Sequence, residues 1–370
     1  MTPRFPDGEL DGLRARGAGR TATEIAQQPA LWAEVADLVV RDGQAAAWLA
    51  PLVARHDLRL VLTGAGTSAF VGQVLAPALT RLLGRPVEAV ATTDLLADPA
   101  GTLRPDRATL LVSFARSGDS PESVAATQVA DAALTEVHHL VVTCNADGRL
   151  ALAHAGRAGS HVLTLPPATN DRGFAMTSSF TAMLLAARLL LAPAATVPVD
   201  DLAAAAETAL RSATDLAAVA ARGHDRVVLL GSGPLAGLAR EASLKLLELT
   251  AGAVVGLHDT PLGFRHGPKS FLRSGTLAVV FRSGDPYTRR YDDDIVTELR
   301  AALGERDVLV VDPVLPGGVP DDLRALPAAV TAQLLALRFA LARPGTPDDP
   351  FPGGEVNRVV QGVTVHPWAP

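Results

Sequence analysis

Arg59 to Ser68 read RLVLTGAGTS, a leucine- and valine-rich run that stops on glycines and leads into AFVGQVLAPALTRLL. The first part suits a buried strand, and the second carries the length of a helix. VEAVATT from Val87, TLLVSFARSG from Thr109 and HHLVVTC from His138 repeat the theme, each an apolar run ending in small polar residues. Strands alternating with helices predict a parallel sheet covered on both faces. The pattern then returns. RLVLTGAG at 59–66 matches RVVLLGSG at 226–233, an offset of 167, and TLLVSFARSGDS from Thr109 resembles TLAVVFRSGDPY from Thr276 at the same offset. LVVTC from Leu140 has a looser counterpart in VLVVD from Val308, offset 168. Three landmarks in one order at nearly one spacing indicate a duplicated α/β unit.

Outward from this core, residues 1–20 lack periodicity and are expected to form a loose arm. Thr21 to Glu24 fit a capping box opening the first helix, and Pro29 suits the first turn of PALWAEVADLVV, followed by QAAAWLAPLVAR. Trp32 and Trp48 are expected to pack this helical preface onto the body. The expected domains are an N-terminal arm with helices at 1–58, a first α/β domain at 59–200, a second at 212–343, and a C-terminal segment at 344–370 that closes on the active site.

Composition narrows the function classes. The 370 residues carry a formal charge of −6 and no dense basic run, which argues against nucleic-acid binding. The single cysteine, Cys144, excludes an intrachain disulfide framework and a multi-cysteine zinc site. No uninterrupted apolar run reaches about 18 residues, and no apolar signal core follows the N-terminus, so a cytoplasmic protein without a membrane span is expected.

Two loops could hold an anion. Gly64-Ala65-Gly66-Thr67-Ser68 joins a strand to a helix, where glycines allow a tight turn and helix-start N–H groups favour negative charge. The same stretch fits the loose G-x-G-x-x-G/A dinucleotide pattern, with Glu88 as a candidate ribose contact. Ser113-Phe114-Ala115-Arg116-Ser117-Gly118-Asp119-Ser120 decides between these readings. Ser117, Ser120 and Ser123 gather hydroxyls at another helix start, which suits a compact phosphomonoester better than an extended pyrophosphate. Thr67, Ser68, Arg116, Ser117, Ser120 and Ser123 are therefore the candidate phosphate ligands. In the second copy, GSGPLAG and FRSGDP carry fewer hydroxyls and read as plain helix caps.

The second copy carries the candidate chemistry. In PLAGLAREASLKLLELTAG, Glu241, Lys245 and Glu248 share one stripe of a helix that is otherwise apolar. A solvated ion-pair stripe is the bland alternative; a buried one would place carboxylates beside a lysine with perturbable pKa values. His266 follows in GFRHGPK, where Gly267 and Pro268 restrict the backbone. Asp171 in NDRGF, Gly66, Glu241, Asn357 and Gln361 are further candidate ligand contacts. Asp292-Asp293-Asp294 reads as a solvated helix start, Cys144 as buried, and His138-His139 lacks partners for a metal site.

GAGTS followed by SFARSGDSPES resembles the sugar isomerase (SIS) domain, and the duplication implies two in tandem, each with a flavodoxin-like parallel sheet. EIAQQPALW, FRHGPKSF and EVNRVVQGVTVHP resemble the AgaS family, bacterial proteins tied to galactosamine use; this likeness spans Thr21 to Trp368. The isomerase half of glucosamine-6-phosphate synthase is similar too. That resemblance implies phosphate-binding hydroxyls at Ser68, Ser117 and Ser120, a proton-shuttling Glu248, a helix lysine at Lys245, and a ring-opening His266 supplied by a neighbouring subunit. A homodimer or homotetramer with shared active sites follows from it. The synthase's cysteine in the first glycine loop is Ala65 here, and its imine-forming lysine aligns with Gln361, so Schiff-base catalysis from that position is excluded.

The leading expectation is deamination with isomerisation of galactosamine 6-phosphate to tagatose 6-phosphate and ammonia, with no metal or redox cofactor. The alternatives are aldose–ketose isomerisation of a nitrogen-free 6-phospho or 6-sulfo sugar, and a non-catalytic sugar-phosphate sensor. The acidic, Trp- and Ala-rich N-terminal stretch does not suit a DNA-binding module, and the charged helix would be surplus to binding alone.

Overall fold

The structure, a computed structural model, describes residues 9–368. Among them, nine strands form two wholly parallel sheets. The first contains β1 (Arg59–Thr63), β2 (Val87–Ala89), β3 (Thr109–Ala115), β4 (Val137–Thr143) and β5 (Ser160–Thr164), in the order β2-β1-β3-β4-β5. The second contains β6 (Arg226–Gly231), β7 (Val255–Asp259), β8 (Thr276–Phe281) and β9 (Val308–Val311), in the order β7-β6-β8-β9. Every residue of β3 and β8 is buried, which is why these runs show no polar alternation. Both sheets have the flavodoxin-like order, with its switch point between the first and third strands.

The duplication extends to register. Arg59 pairs with Thr109, and Arg226 pairs with Thr276, so the 167-residue offset holds on both strands of the pair. The third landmark moves by one residue. Leu111 faces His139 while its counterpart Ala278 faces Val308, so the true offset there is 169, from 139 to 308, rather than 168. A one-residue slip exchanges the two faces of a strand, and only pairing resolves it. Two strands also went unrecognised in the sequence, β5 and β7. Both lie at sheet edges, and neither has more than one buried residue, so neither carries a continuous apolar signal.

The chain packs as two compact units that interleave along the sequence. One contains the stretch ending at Trp32, Asp171–Ser178 and Pro198–Gly353; the other contains Ala33–Asn170, Ser179–Val197 and the stretch from Gly354. In the first unit, the expected loose arm is partly helical, with Glu9–Ala15 and Gly19–Ala26; residues 1–8 lie outside the described residues. The expected capping box is not one. The helix already starts at Gly19, so Thr21 and Glu24 lie within it. Asp348 instead accepts the N–H groups of Arg20 and Thr21 at 2.9 and 2.8 Å, satisfying helix-start donors from a distant part of the chain. Glu24 accepts the N–H groups of Arg172 and Gly173, and burial with nearby Asp171 raises its pKa to about 7.

The helix Asp321–Leu341 is long and apolar enough to cross a membrane by length and composition, yet 94% of its apolar window is buried inside the protein. It packs against the helices Pro234–Leu249, Val199–Arg211, Ala213–Ala220 and Gly19–Ala26, so its apolar residues build the core. Trp32 is fully buried, while Trp48 is partly exposed and stacks on His161 with centroids 5.8 Å apart. In the other unit, Trp368 packs against the buried cluster that includes Val61 and Leu111 of the first sheet.

That unit also buries two imidazoles. His139 contacts Asp131 at 2.9 Å, and its ring lies 4.6 Å from that of His154. Burial, then the charges of His139 and Arg157, depress the His154 pKa from 6.5 to about 4. A depressed folded pKa favours the neutral ring, so the associated stability is complete above pH 6.5 and is lost as pH falls towards 4. The loss should reach about 3 kcal/mol. Urea midpoints at pH 7.5 and 4.5 should show it, and His154→Gln should shrink the difference; an unchanged difference in that variant would reject the assignment.

Candidate active site

β1 and β3 are neighbours, so the loops that follow them emerge side by side at the carboxyl edge of the first sheet. Gly66, with φ 55° and ψ −128°, starts the helix Thr67–Leu83 in a backbone conformation open to glycine. A Cβ on Gly64 would lie 2.6 Å from the Ser68 carbonyl carbon, so this turn closes only with glycine. Thr67, Ser68, Arg116 and Ser123 are buried, and Ser117 and Ser120 are half-buried. The Ser120 hydroxyl donates to Glu122 at 2.6 Å. Arg116 donates to the Arg358 carbonyl at 3.1 Å, tying the C-terminal stretch to the serine loop. Asn357 and Gln361 are exposed on that stretch. Glu88 is not a ribose contact, because both its oxygens accept from Arg59, at 2.6 and 2.7 Å.

Gly64→Ala should shift the turn, cost about 1–3 kcal/mol, and weaken phosphate binding at least as strongly as stability. Thermal unfolding with and without inorganic phosphate would measure both effects. A variant with wild-type stability and phosphate response would contradict the packing argument.

In the other unit, Glu241 and Lys245 are buried within the helix Pro234–Leu249, at 1% and 0% exposure. This removes the solvated-stripe reading. The Lys245 ammonium lies 3.4 Å from Glu241 and is hydrogen-bonded to Glu248. Burial alone would push the lysine pKa down, but the two carboxylates outweigh it and hold it above its ordinary value. Glu248 is the partly exposed member, with 23% of its side chain accessible. Glu241 faces Lys245 and is closed to solvent. Asp171 also lies inside its unit. It is completely buried, and its carboxylate accepts the N–H groups of Thr177 and Ser178 at 2.8 and 3.1 Å.

His266 is exposed on a turn whose Gly267 has φ 131°. Arg265 and Lys269 flank it, and both pair with Glu298 on the helix Pro286–Leu303. Those two cations hold the Glu298 carboxyl below its usual range, Lys269 first. Sequence reasoning missed Glu298, which anchors the turn from 32 residues away (266 to 298).

The SIS domain profile matches residues 53–193. An AgaS relative from Streptomyces coelicolor is 58% identical over 94% of this chain and 96% of its own length. D-galactosamine-6-phosphate deaminase AgaS from Shewanella sp. is 43% identical over 96% of this chain and 94% of its own. The chain belongs to the AgaS family. A crystal structure of tagatose-6-phosphate ketose/aldose isomerase from Escherichia coli matches with a TM-score of 0.86 and 38% identity, covering 94% of this chain and 96% of that one.

In this AgaS-family chain, the two copies of the switch point have diverged. In the second, Asp292 accepts from the Ser283 N–H and the Ser232 hydroxyl, at 2.8 and 3.1 Å. Asp321 accepts the Gly284 N–H at 2.7 Å and the Ser283 hydroxyl. Internal carboxylates thus occupy donors equivalent to those of the first-copy serine loop. Asp292 is fully buried within the helix Pro286–Leu303, so the expected solvated helix start is corrected, and burial raises its pKa. A brace of the serine loop was also missed. Asn145 donates to the Ser117 carbonyl at 2.9 Å, and a Cβ on Gly148 would sit 2.3 Å from that same oxygen. The N-A-D-G turn after β4 was its only sequence signal.

Proposed function

We propose that this chain converts galactosamine 6-phosphate and water to tagatose 6-phosphate and ammonia. The observation that carries this is Glu248: a carboxylate at the accessible end of an otherwise buried Glu241–Lys245–Glu248 group. The AgaS relatives that bear the deaminase name supply the substrate class. Ser68, Ser117, Ser120, Thr67, Ser123 and Arg116 would hold the phosphate, and His266 would open the ring. Glu248 would take the proton from C2 and return it at C1, giving a 2-imine. Water would then add to C2 and ammonia leave, which balances the reaction without a redox step. Asn357 and Gln361 remain sugar contacts in this reading, with Gly66 shaping the cradle.

Purified protein given galactosamine 6-phosphate should release one ammonia per tagatose 6-phosphate formed. The absence of ammonia above a Glu248→Gln control would reject deamination. The isomerase name of the Escherichia coli structure favours a second reading, interconversion of nitrogen-free hexose phosphates, which would give ketose without ammonia from the corresponding aldose.

Exposure of His266 supports donation to a neighbouring copy in a homo-oligomer. If Glu248 and His266 of one site come from different subunits, mixing inactive Glu248→Gln and His266→Ala chains should restore about one quarter of wild-type activity in a dimer. No restoration after subunit exchange would place both groups on one subunit.

A further inference from the structure

At the end of the first sheet opposite the glycine and serine loops lies an open cleft of about 360 Å³, lined by Asp57, Arg59, Arg85, Glu88, Arg104 and Arg107 among others. These residues fall at or near the amino ends of β1, β2 and β3, whereas the cradle loops leave the carboxyl ends of β1 and β3. The cleft's positive charge is only partly matched within the protein. Arg59 spends Nε and Nη2 on Glu88, but its Nη1 is buried with no hydrogen-bond partner among the described residues. Arg85 donates to the carbonyls of Val53 and Arg55. Neither Arg85 nor Arg104 forms an ion pair among the described residues. Burial lowers the Arg85 pKa, with only Asp57 opposing, as for a cation short of an anion.

The duplication provides an internal comparison. Arg226 stands where Arg59 stands in the first copy, 167 residues on. Its guanidinium carbon lies 3.9 Å from the Phe271 ring centroid, and it donates to the Phe271 carbonyl at 3.2 Å. An aromatic ring therefore covers this arginine in the second copy, and an open cleft adjoins it in the first.

We propose that this cleft is a second anion site, taking a small phosphate-bearing molecule and separate from the catalytic cradle. Guanidinium groups suit phosphate because their planar donors match its oxygens in pairs. The volume is within the range of small-ligand sites. Asp57, Glu88 and Asp106 interleave with the arginines, and these carboxylates would repel an extended polyanion such as nucleic acid.

Calorimetric titration of the full chain with inorganic phosphate tests this. Wild type should bind two equivalents per chain. Ser117→Ala/Ser120→Ala should retain the arginine site, while Arg104→Ala should retain the cradle and weaken the other site about tenfold or more. Arg104 is exposed and holds no backbone carbonyl, so its loss should spare folding; Arg85→Met would then be the stronger, riskier variant. Competition by glucose 6-phosphate and by adenosine monophosphate in the Ser117→Ala/Ser120→Ala background distinguishes a sugar phosphate from a nucleotide. Turnover of galactosamine 6-phosphate by Arg104→Ala should be unchanged at low phosphate, which separates this site from the proposed reaction. A single equivalent in wild type, or two equivalents of unaltered affinity in Arg104→Ala, would overturn the proposal.

Discussion

Glu248→Gln is expected to lower kcat for ammonia release by about a thousandfold, within the range spanned by positioned acid–base groups. The amide keeps the shape of the side chain and can still accept from Lys245, but it cannot carry a proton between C2 and C1. KM should therefore stay within about threefold of wild type, because the lost interaction belongs to the proton-transfer step and not to phosphate binding. Stability should change little, since the Glu248 side chain keeps 23% of its surface in water. A coupled ammonia assay measures kcat and KM, and solvent deuterium should cease to enter the sugar in the variant. Retention of a tenth of wild-type kcat would remove Glu248 from the proton-transfer role.

Lys245→Met should be the most destabilising single change, costing about 3–5 kcal/mol, because it strands the Glu241 carboxylate in the interior. Glu241 is 1% exposed, so water cannot replace the ammonium; Glu248 is less affected because it reaches solvent. Replacing both members of the buried pair, as Glu241→Leu/Lys245→Met, should recover most of that loss, since an apolar pair needs no compensating charge. Urea denaturation distinguishes the three proteins, and a single variant that loses under about 1 kcal/mol would show that the pair is hydrated. The raised Lys245 pKa fixes the pH window. A base whose folded pKa is raised contributes fully below its unfolded value near 10.5, and loses that contribution only as pH climbs through the folded value. The wild-type contribution of Lys245 should thus be the same at pH 6 and pH 8.

Much of this was readable from local pattern. Apolar runs ending in glycine specify strand, tight turn and helix start within about ten residues, and the repeated offset showed that the unit occurs twice. The serine loop was legible because hydroxyls at a helix start have a direct electrostatic meaning. Edge strands β5 and β7 were not legible, since half-exposed residues give no continuous apolar run. Thr21 and Glu24 misled because a capping box is defined by spacing alone, while here each side chain serves a segment more than a hundred residues away. The partners of Asp171 were not legible either: this polar loop residue turns inward to hold Thr177 and Ser178, a contact its loop sequence does not display.

From its sequence alone, then, the chain had its two strand–turn–helix copies, the glycines that permit their turns, and the membership that EIAQQPALW and FRHGPKSF carry. Spacing along one strand or helix is a local property, and local geometry follows from it. Only the tertiary structure decided which groups meet the donors in those turns. Asp292 and Asp321 reach the second-copy loop from a helix face and from the start of a later helix, and engage its N–H groups and hydroxyls; in the first copy Asn145 holds the Ser117 carbonyl and the neighbouring Glu122 takes the Ser120 hydroxyl. Backbone donors are written locally, whereas the acceptor each one meets depends on long-range packing, which no single stretch of sequence displays.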